Sequence, residues 1–118
     1  MLSAPTTAQY AAIEALESCG DEVVEMRRQY DRRRKFVLSR FEDVGMDCFR
    51  ASGAFYAFPE CPWDDADEFA EALIQEEGVA VVPGTAFGEG GAGHLRVSYA
   101  TGLDDLKEAM HRIERFVD

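Results

Sequence analysis

The stretch from Gly78 to Gly102, GVAVVPGTAFGEGGAGHLRVSYATG, constrains the fold more than any other part of the chain. An apolar run from Val79 to Val82 ends at Pro83-Gly84. A glycine-rich loop with Gly88, Gly90, Gly91 and Gly93 follows, and a second apolar segment runs from His94 to Ala100. Proline and glycine interrupt regular structure, whereas β-branched and aromatic residues favour strands, so the pattern predicts strand, turn, loop, strand. Successive side chains of a strand point to opposite faces. Leu95, Val97 and Tyr99 therefore form an apolar face that packs under helices, while His94, Arg96, Ser98 and Ala100 face the other way.

Arg96 is thus expected mid-strand, on the face opposite the core. A guanidinium keeps its charge and offers a planar fork of donors that fits a carboxylate or phosphate two bonds at a time. One reading is a structural ion pair with an acidic side chain, because charged groups away from water are normally paired. The other is an anchor for a ligand carboxylate. Periodicity alone favours the ion pair.

Helical patterns flank this region. Pro5-Thr6-Thr7 opens a segment from about Ala8 to Ser18, with Ala12, Ile13 and Leu16 on one side and Gly20 as its stop. Asp21 is expected to cap a long helix in which Val23, Met26, Tyr30, Val37, Phe41 and Val44 recur at spacings near three and four, ending at Gly45. The basic run Arg27 to Lys35 lies inside it, but at 3.6 residues per turn its side chains point almost all round the axis and form no stripe. Glu25 with Arg28, and Asp31 with Lys35, have the spacing of surface pairs. Asp47 to Ala51 and Ala54 to Phe58 read as two short extended segments joined at Gly53. Asp64 or Asp65 can cap a helix with Phe69, Leu73 and Ile74 on one face and Gly78 at its end. Thr101-x-x-Asp104 has the character of a capping box before a last helix striped by Leu106, Met110, Ile113, Phe116 and Val117. The order of elements predicts one small α/β (α+β) layer, a short sheet covered by helices.

At 118 residues the chain is long enough for one core and short for two. No apolar run approaches the roughly 20 residues that cross a bilayer, and the N-terminus lacks a secretion-signal pattern, so a soluble cytoplasmic protein is expected. Cys19, Cys48 and Cys61 are odd in number and lack a CxxC pair. They point to reduced, mostly buried thiols and not to disulfides or zinc. The formal charge of −11, from 23 acidic and 12 basic residues, argues against nucleic acid or an anionic membrane as partner. Ten arginines against two lysines, Lys35 and Lys107, on an acidic chain suggest adaptation to high salt. Gly88-x-Gly90-x-x-Gly93 matches the dinucleotide fingerprint in letters, but a strand follows it where a helix must begin, and Glu89 would repel a pyrophosphate. No His-Cys-carboxylate cluster has metal spacing, and no serine sits in a nucleophile elbow.

Taken in order, several stretches resemble the C-terminal portion of the class I/II aminotransferases, pyridoxal-phosphate enzymes of fold type I, and in particular aspartate-aminotransferase-like members. Pro5-Thr6-Thr7-Ala8-Gln9 with Ala11-Ala12 and Ala15-Leu16 resembles the helix that follows the family's cofactor-binding core. Tyr30 with Arg33-Arg34 resembles its long interdomain helix, and Gly53-Ala54-Phe55-Tyr56-Ala57-Phe58-Pro59 its GAFY-x-FP strand. Gly78-Val79, Pro83-Gly84, Phe87-Gly88, Gly93 and Leu95 to Ala100 resemble the stretch that ends in the R-x-S-x-A motif.

The resemblance implies the family's small C-terminal domain over residues 20–118 and a residual helix of the large cofactor domain over residues 1–19. It makes Arg96 the residue that holds the substrate's α-carboxylate, and Gly53 the point where backbone passes close to substrate, where a Cβ would intrude. It implies amino-group transfer between an amino acid and a 2-oxo acid, a homodimer for the full-length enzyme, and a small domain that closes over substrate. Pyridoxal phosphate is implied for the full-length enzyme and not for this chain. The Schiff-base lysine matches no position here: neither Lys35 nor Lys107 lies in its motif, so no catalytic residue is assigned and the chain is expected to be inactive by itself. A stand-alone, non-catalytic module that binds an amino acid or a partner protein through the same face is the alternative, and a structural remnant without ligand is a third.

Overall fold

Residues 3–117 are described by a computed structural model; residues 1, 2 and 118, at the outer ends of the two expected segments, lie outside the described residues. The first helix, α1, spans Thr6–Ser18 and buries none of its residues. A single residue, Cys19, separates it from α2, Gly20–Asp43, which is 24 residues long. The expected cap by Asp21 is not formed. The helix already begins at Gly20 without a side-chain cap, and Asp21 and Glu22 stand in its first turn, where negative charge suits the positive end of the helix dipole. Its stop is as expected: Gly45 takes φ 75°, its N–H donates to Glu42 O, and the N–H of Met46 donates to Phe41 O at 2.9 Å. That pair of bonds satisfies carbonyls the helix end leaves open.

Glu25 and Arg28 approach to 3.8 Å, and Asp31 takes Lys35 at 2.7 Å and Arg34 at 2.8 Å. The basic run is thus partly neutralised along its own helix. Val37 and Phe41 are the residues α2 buries, both in its C-terminal half.

Three very short strands form the sheet: β1 Tyr56–Ala57, β2 Val82–Pro83 and β3 Leu95–Ser98, antiparallel in the order β1-β3-β2. Asp47 to Ala51 contributes one isolated bridge, Cys48 to Pro59, in place of the expected extended segment. Val79 to Val81, expected to be part of a strand, likewise lie outside β2. Helix α3, Ala66–Glu77, begins with Asp65, whose carboxylate accepts from the N–H groups of Asp67 and Glu68, and stops at left-handed Gly78. It buries Ala66, Phe69, Ala70 and Leu73, whereas Ile74, expected in the core, is half exposed. Helix α4 spans Leu103–Val117. Thr101 donates to the Asp105 carboxylate at 3.2 Å while Asp104 takes Lys107, so the expected pairing of Thr101 with Asp104 is replaced by one a residue further on.

Val37 and Phe41 of α2, Phe69 and Leu73 of α3, Leu95, Val97 and Tyr99 of β3, and Leu106, Met110 and Ile113 of α4 meet in one core. The β3 alternation read from sequence is therefore the one observed. The three cysteines are free but only partly buried. Across the Cα atoms the radius of gyration is 17.3 Å, against about 13.5 Å for a compact domain of this length. The excess comes from α1 and the start of α2, which project beyond the core.

Candidate functional site

The face of the sheet away from the core carries the candidate site. Residues directly opposite in an antiparallel pair share a face. Val82 pairs with Arg96 and Tyr56 with Ser98, so Tyr56, Val82, Arg96 and Ser98 lie together on the outer side of the sheet. Arg96 is half-buried there, on the central strand. Its Cζ stands 4.6 Å over the ring of Tyr56 and 4.6 Å over the ring of Phe87. Tyr56 comes from the strand on one side of β3, and Phe87 follows the strand on the other.

Among the described residues no acidic group lies within 4 Å of Arg96, so the structural ion pair favoured by periodicity is not formed there. Its partners are aromatic faces, each worth about 0.5–2 kcal/mol according to exposure. Ring faces attract the charge of a guanidinium without accepting from its N–H groups in the way a carboxylate does, so those donors remain for an in-plane acceptor. A carboxylate is such an acceptor. On the same face His94 stacks on Phe58, with centroids 5.2 Å apart and planes 9° from parallel.

The loop that brings Phe87 over the sheet is tightly built. Gly84–Phe87 and Glu89–Gly91 are two 3₁₀ turns, and the chain crosses itself where Gly84 meets Gly91. A Cβ on Gly84 would lie 2.0 Å from the Gly91 carbonyl oxygen, and one on Gly91 2.1 Å from that of Gly84. Only glycine permits that approach. The Gly84 N–H donates to His94 O at 2.8 Å, and the Thr85 hydroxyl to the Asp67 carboxylate at 2.9 Å, which ties the loop to the residue before β3 and to α3.

Gly53 lies in the bend before β1 and lines an open groove with Tyr30, Arg34, Ala54 and Tyr99; Arg96 stands outside that groove. A Cβ on Gly53 would meet nothing within 4 Å. The backbone strain sits one residue on: Ala54 has φ 62°. Its carbonyl accepts from the Tyr99 hydroxyl at 3.0 Å, and burial holds the Tyr99 phenol above its usual value of 10.0.

Tyr56 and Phe87 were not identified from the sequence as functional. Tyr56 joins the Arg96 face only through the β1–β3 register, which no single-strand pattern contains. Phe87 did leave a signal: it is a large aromatic inside a glycine loop, where no core periodicity accounts for it. Neither lysine is available to this face. Lys35 is paired with Asp31 and Lys107 with Asp104, both within one turn on exposed helix surfaces. The donor set of pyridoxal phosphate, a free amine beside a phosphate-binding pocket, is therefore not matched by the described residues. No group of three potential metal ligands occurs among them either, and no described helix is long and apolar enough to cross a membrane.

Residues 1–113 match the family described as aminotransferase class I and II. The chain is 46% identical over 114 residues to an aspartate aminotransferase of Pyrococcus abyssi, covering 93% of this chain and 29% of that protein. It is 46% identical over 114 residues to an aromatic-amino-acid aminotransferase of Thermococcus litoralis, again covering 93% of this chain and 29% of that protein. The crystal structure of an aromatic aminotransferase from Pyrococcus horikoshii superposes with a TM-score of 0.87 at 46% identity, over 92% of this chain and 30% of that one. The chain thus spans about three-tenths of the length of the relatives it matches. Family match, sequence identity and superposed fold agree over nearly all of its residues, and the chain belongs to the class I and II aminotransferases.

Proposed function

We propose that this chain is the C-terminal part of a pyridoxal-phosphate-dependent aminotransferase that moves an amino group between an amino acid and a 2-oxo acid. In this reading Arg96 grips the α-carboxylate of the substrate. The observation that carries it is the state of the Arg96 guanidinium, whose Cζ stands over two aromatic rings and which has no acidic partner among the described residues. A bidentate clamp needs a guanidinium that is held but not already neutralised. When bound, the cofactor supplies the electron-withdrawing group that makes amino transfer possible. This chain's own residues supply binding and orientation of the acid end of the substrate. Gly53 is read as a second substrate-side position, although the groove it lines with Tyr30 and Tyr99 is not the face that carries Arg96.

Residues 20–118 are read as the small domain with α2 as its interdomain helix, and residues 1–19 as the end of the large cofactor domain. Helix α2 buries Val37 and Phe41, both in its C-terminal half, whereas α1 buries no residue, and that contrast supports the division. The whole enzyme is read as a homodimer, and this chain by itself as inactive, since Lys35 and Lys107 are both engaged on helix surfaces.

The test places this chain in the P. abyssi aspartate aminotransferase in place of its matching segment. The chimera is expected to transaminate. Replacing Arg96 by Lys, which loses the planar fork, should raise KM for the amino acid about tenfold or more, the equivalent of about 1.4 kcal/mol. An unchanged KM removes Arg96 from the substrate site.

A further inference from the structure

We propose that Phe87 and Tyr56 are positioning residues for Arg96, holding its guanidinium plane between their rings so that its N–H edge is presented to a carboxylate before the ligand arrives. The proposal rests on the carboxylate-anchor reading above and extends it to two residues that reading does not use.

An arginine side chain has many rotamers, and gripping a flat ligand freezes them; a side chain already frozen loses less on binding. Here Arg96 Cζ lies 4.6 Å from each ring centroid. The rings arrive from the two flanks of β3, one on β1 and one on the loop after β2. A ring on each flank of β3 limits where the guanidinium can move, and among the described residues no side chain forms an ion pair with it. Phe87 has no other evident purpose: it is 53% exposed and contributes nothing to the core. Its mount is rigid. The crossing of Gly84 and Gly91, the Gly84–His94 bond and the Thr85–Asp67 bond fix the turn on which it stands. A loop built only to connect two strands needs neither the crossing nor the aromatic ring.

A purely covering role for Phe87 would be filled equally well by leucine; a positioning role needs an aromatic face. The test is NMR of the 118-residue chain, following the Arg96 Nε–Hε signal while sodium acetate is added at constant ionic strength. The signal is assigned by its loss in Arg96→Lys. In the wild type it is expected to be displaced upfield by the two rings and to shift on acetate addition. In Phe87→Leu the signal should return downfield and the acetate midpoint should rise about threefold to tenfold, with both effects reversed in Phe87→Tyr. Because Phe87 is half exposed, the leucine variant should keep its fold, which the ring signals of buried Tyr99 report. If acetate moves the Arg96 signal equally in wild type and Phe87→Leu, the positioning role is overturned while the carboxylate reading survives. If acetate moves no Arg96 signal in the wild type, the carboxylate reading fails and the positioning role falls with it.

Discussion

Ala54 is, among the described residues, the one non-glycine residue with a positive φ, at 62°. For an L-residue the left-handed region costs about 1–2 kcal/mol, because Cβ crowds the following carbonyl. Tyr99 holds the bend in place through two bonds: its N–H donates to Phe55 O at 2.9 Å and its hydroxyl to Ala54 O at 3.0 Å. Those bonds also set where β1 begins, and hence where Tyr56 meets Arg96. Ala54→Gly removes the crowding but also loosens the unfolded chain, so the expected net gain is at most about 1 kcal/mol. Urea unfolding measures it as a higher midpoint with unchanged slope. A lower midpoint would mean that the methyl group contributes packing that outweighs the strain.

Helices α3 and α4 are joined at the end of α3. Arg115 donates from Nε to the Glu77 carboxylate at 3.1 Å and pairs with it through Nη2 as well, while Arg112 Nη1 donates to the Glu77 carbonyl at 2.9 Å. The Arg115 hydrogen bonds hold the Glu77 carboxyl below its usual 4.5. A carboxyl depressed in the fold adds stability above its unfolded value, and that share is lost as pH falls through the lower folded value. Acid unfolding of the wild type should therefore steepen below pH 4.5, and Glu77→Gln should reduce that steepness while leaving some from Asp31, Asp104 and Glu108, which are also depressed. Superimposable acid curves would show that the α3–α4 clamp does not contribute. At this scale the sequence is informative where one element decides its own structure. The Asp65 cap, the Gly45 and Gly78 stops and the burial of Leu95, Val97 and Tyr99 follow from local chemistry and period. It is silent where another element decides. Val79 to Val81 have strand character, but β3 offers β2 only two partners, at Leu95 and Arg96. Phe69, Leu73 and Ile74 share a helical face, yet α4 and the sheet cover that face on the side of Ala70 and leave Ile74 at its edge. The outer face of the sheet was half legible. Parity placed Arg96, whereas its companions come from a register and a folded loop that no local pattern encodes.

On the scale of the whole molecule, two long-range features oppose each other. Tyr10, Ile13 and Leu16 on α1, with Val23 and Met26 on α2, are all more than half exposed, Leu16 at 88%. They recur every three residues along one side of each helix, an apolar surface of the kind that monomeric proteins seldom leave open. Against association stands the formal charge of −11 on every copy. Repulsion between such copies acts over a Debye length of about 10 Å at 0.1 M salt and about 3 Å at 1 M, whereas apolar burial does not weaken as salt rises. The chain by itself is therefore expected to sediment as a monomer in dilute buffer and to self-associate as salt and protein concentration increase. Leu16→Glu, which puts a charge in the middle of the patch, should keep it monomeric throughout. In the P. abyssi chimera the large domain should cover the same residues, and the salt-driven association through them should disappear. A wild-type chain that stays monomeric at 1 M salt and high concentration would show that the exposed side chains are too dispersed to form a contact surface, and would remove the support they give to α1 as a part of the large domain.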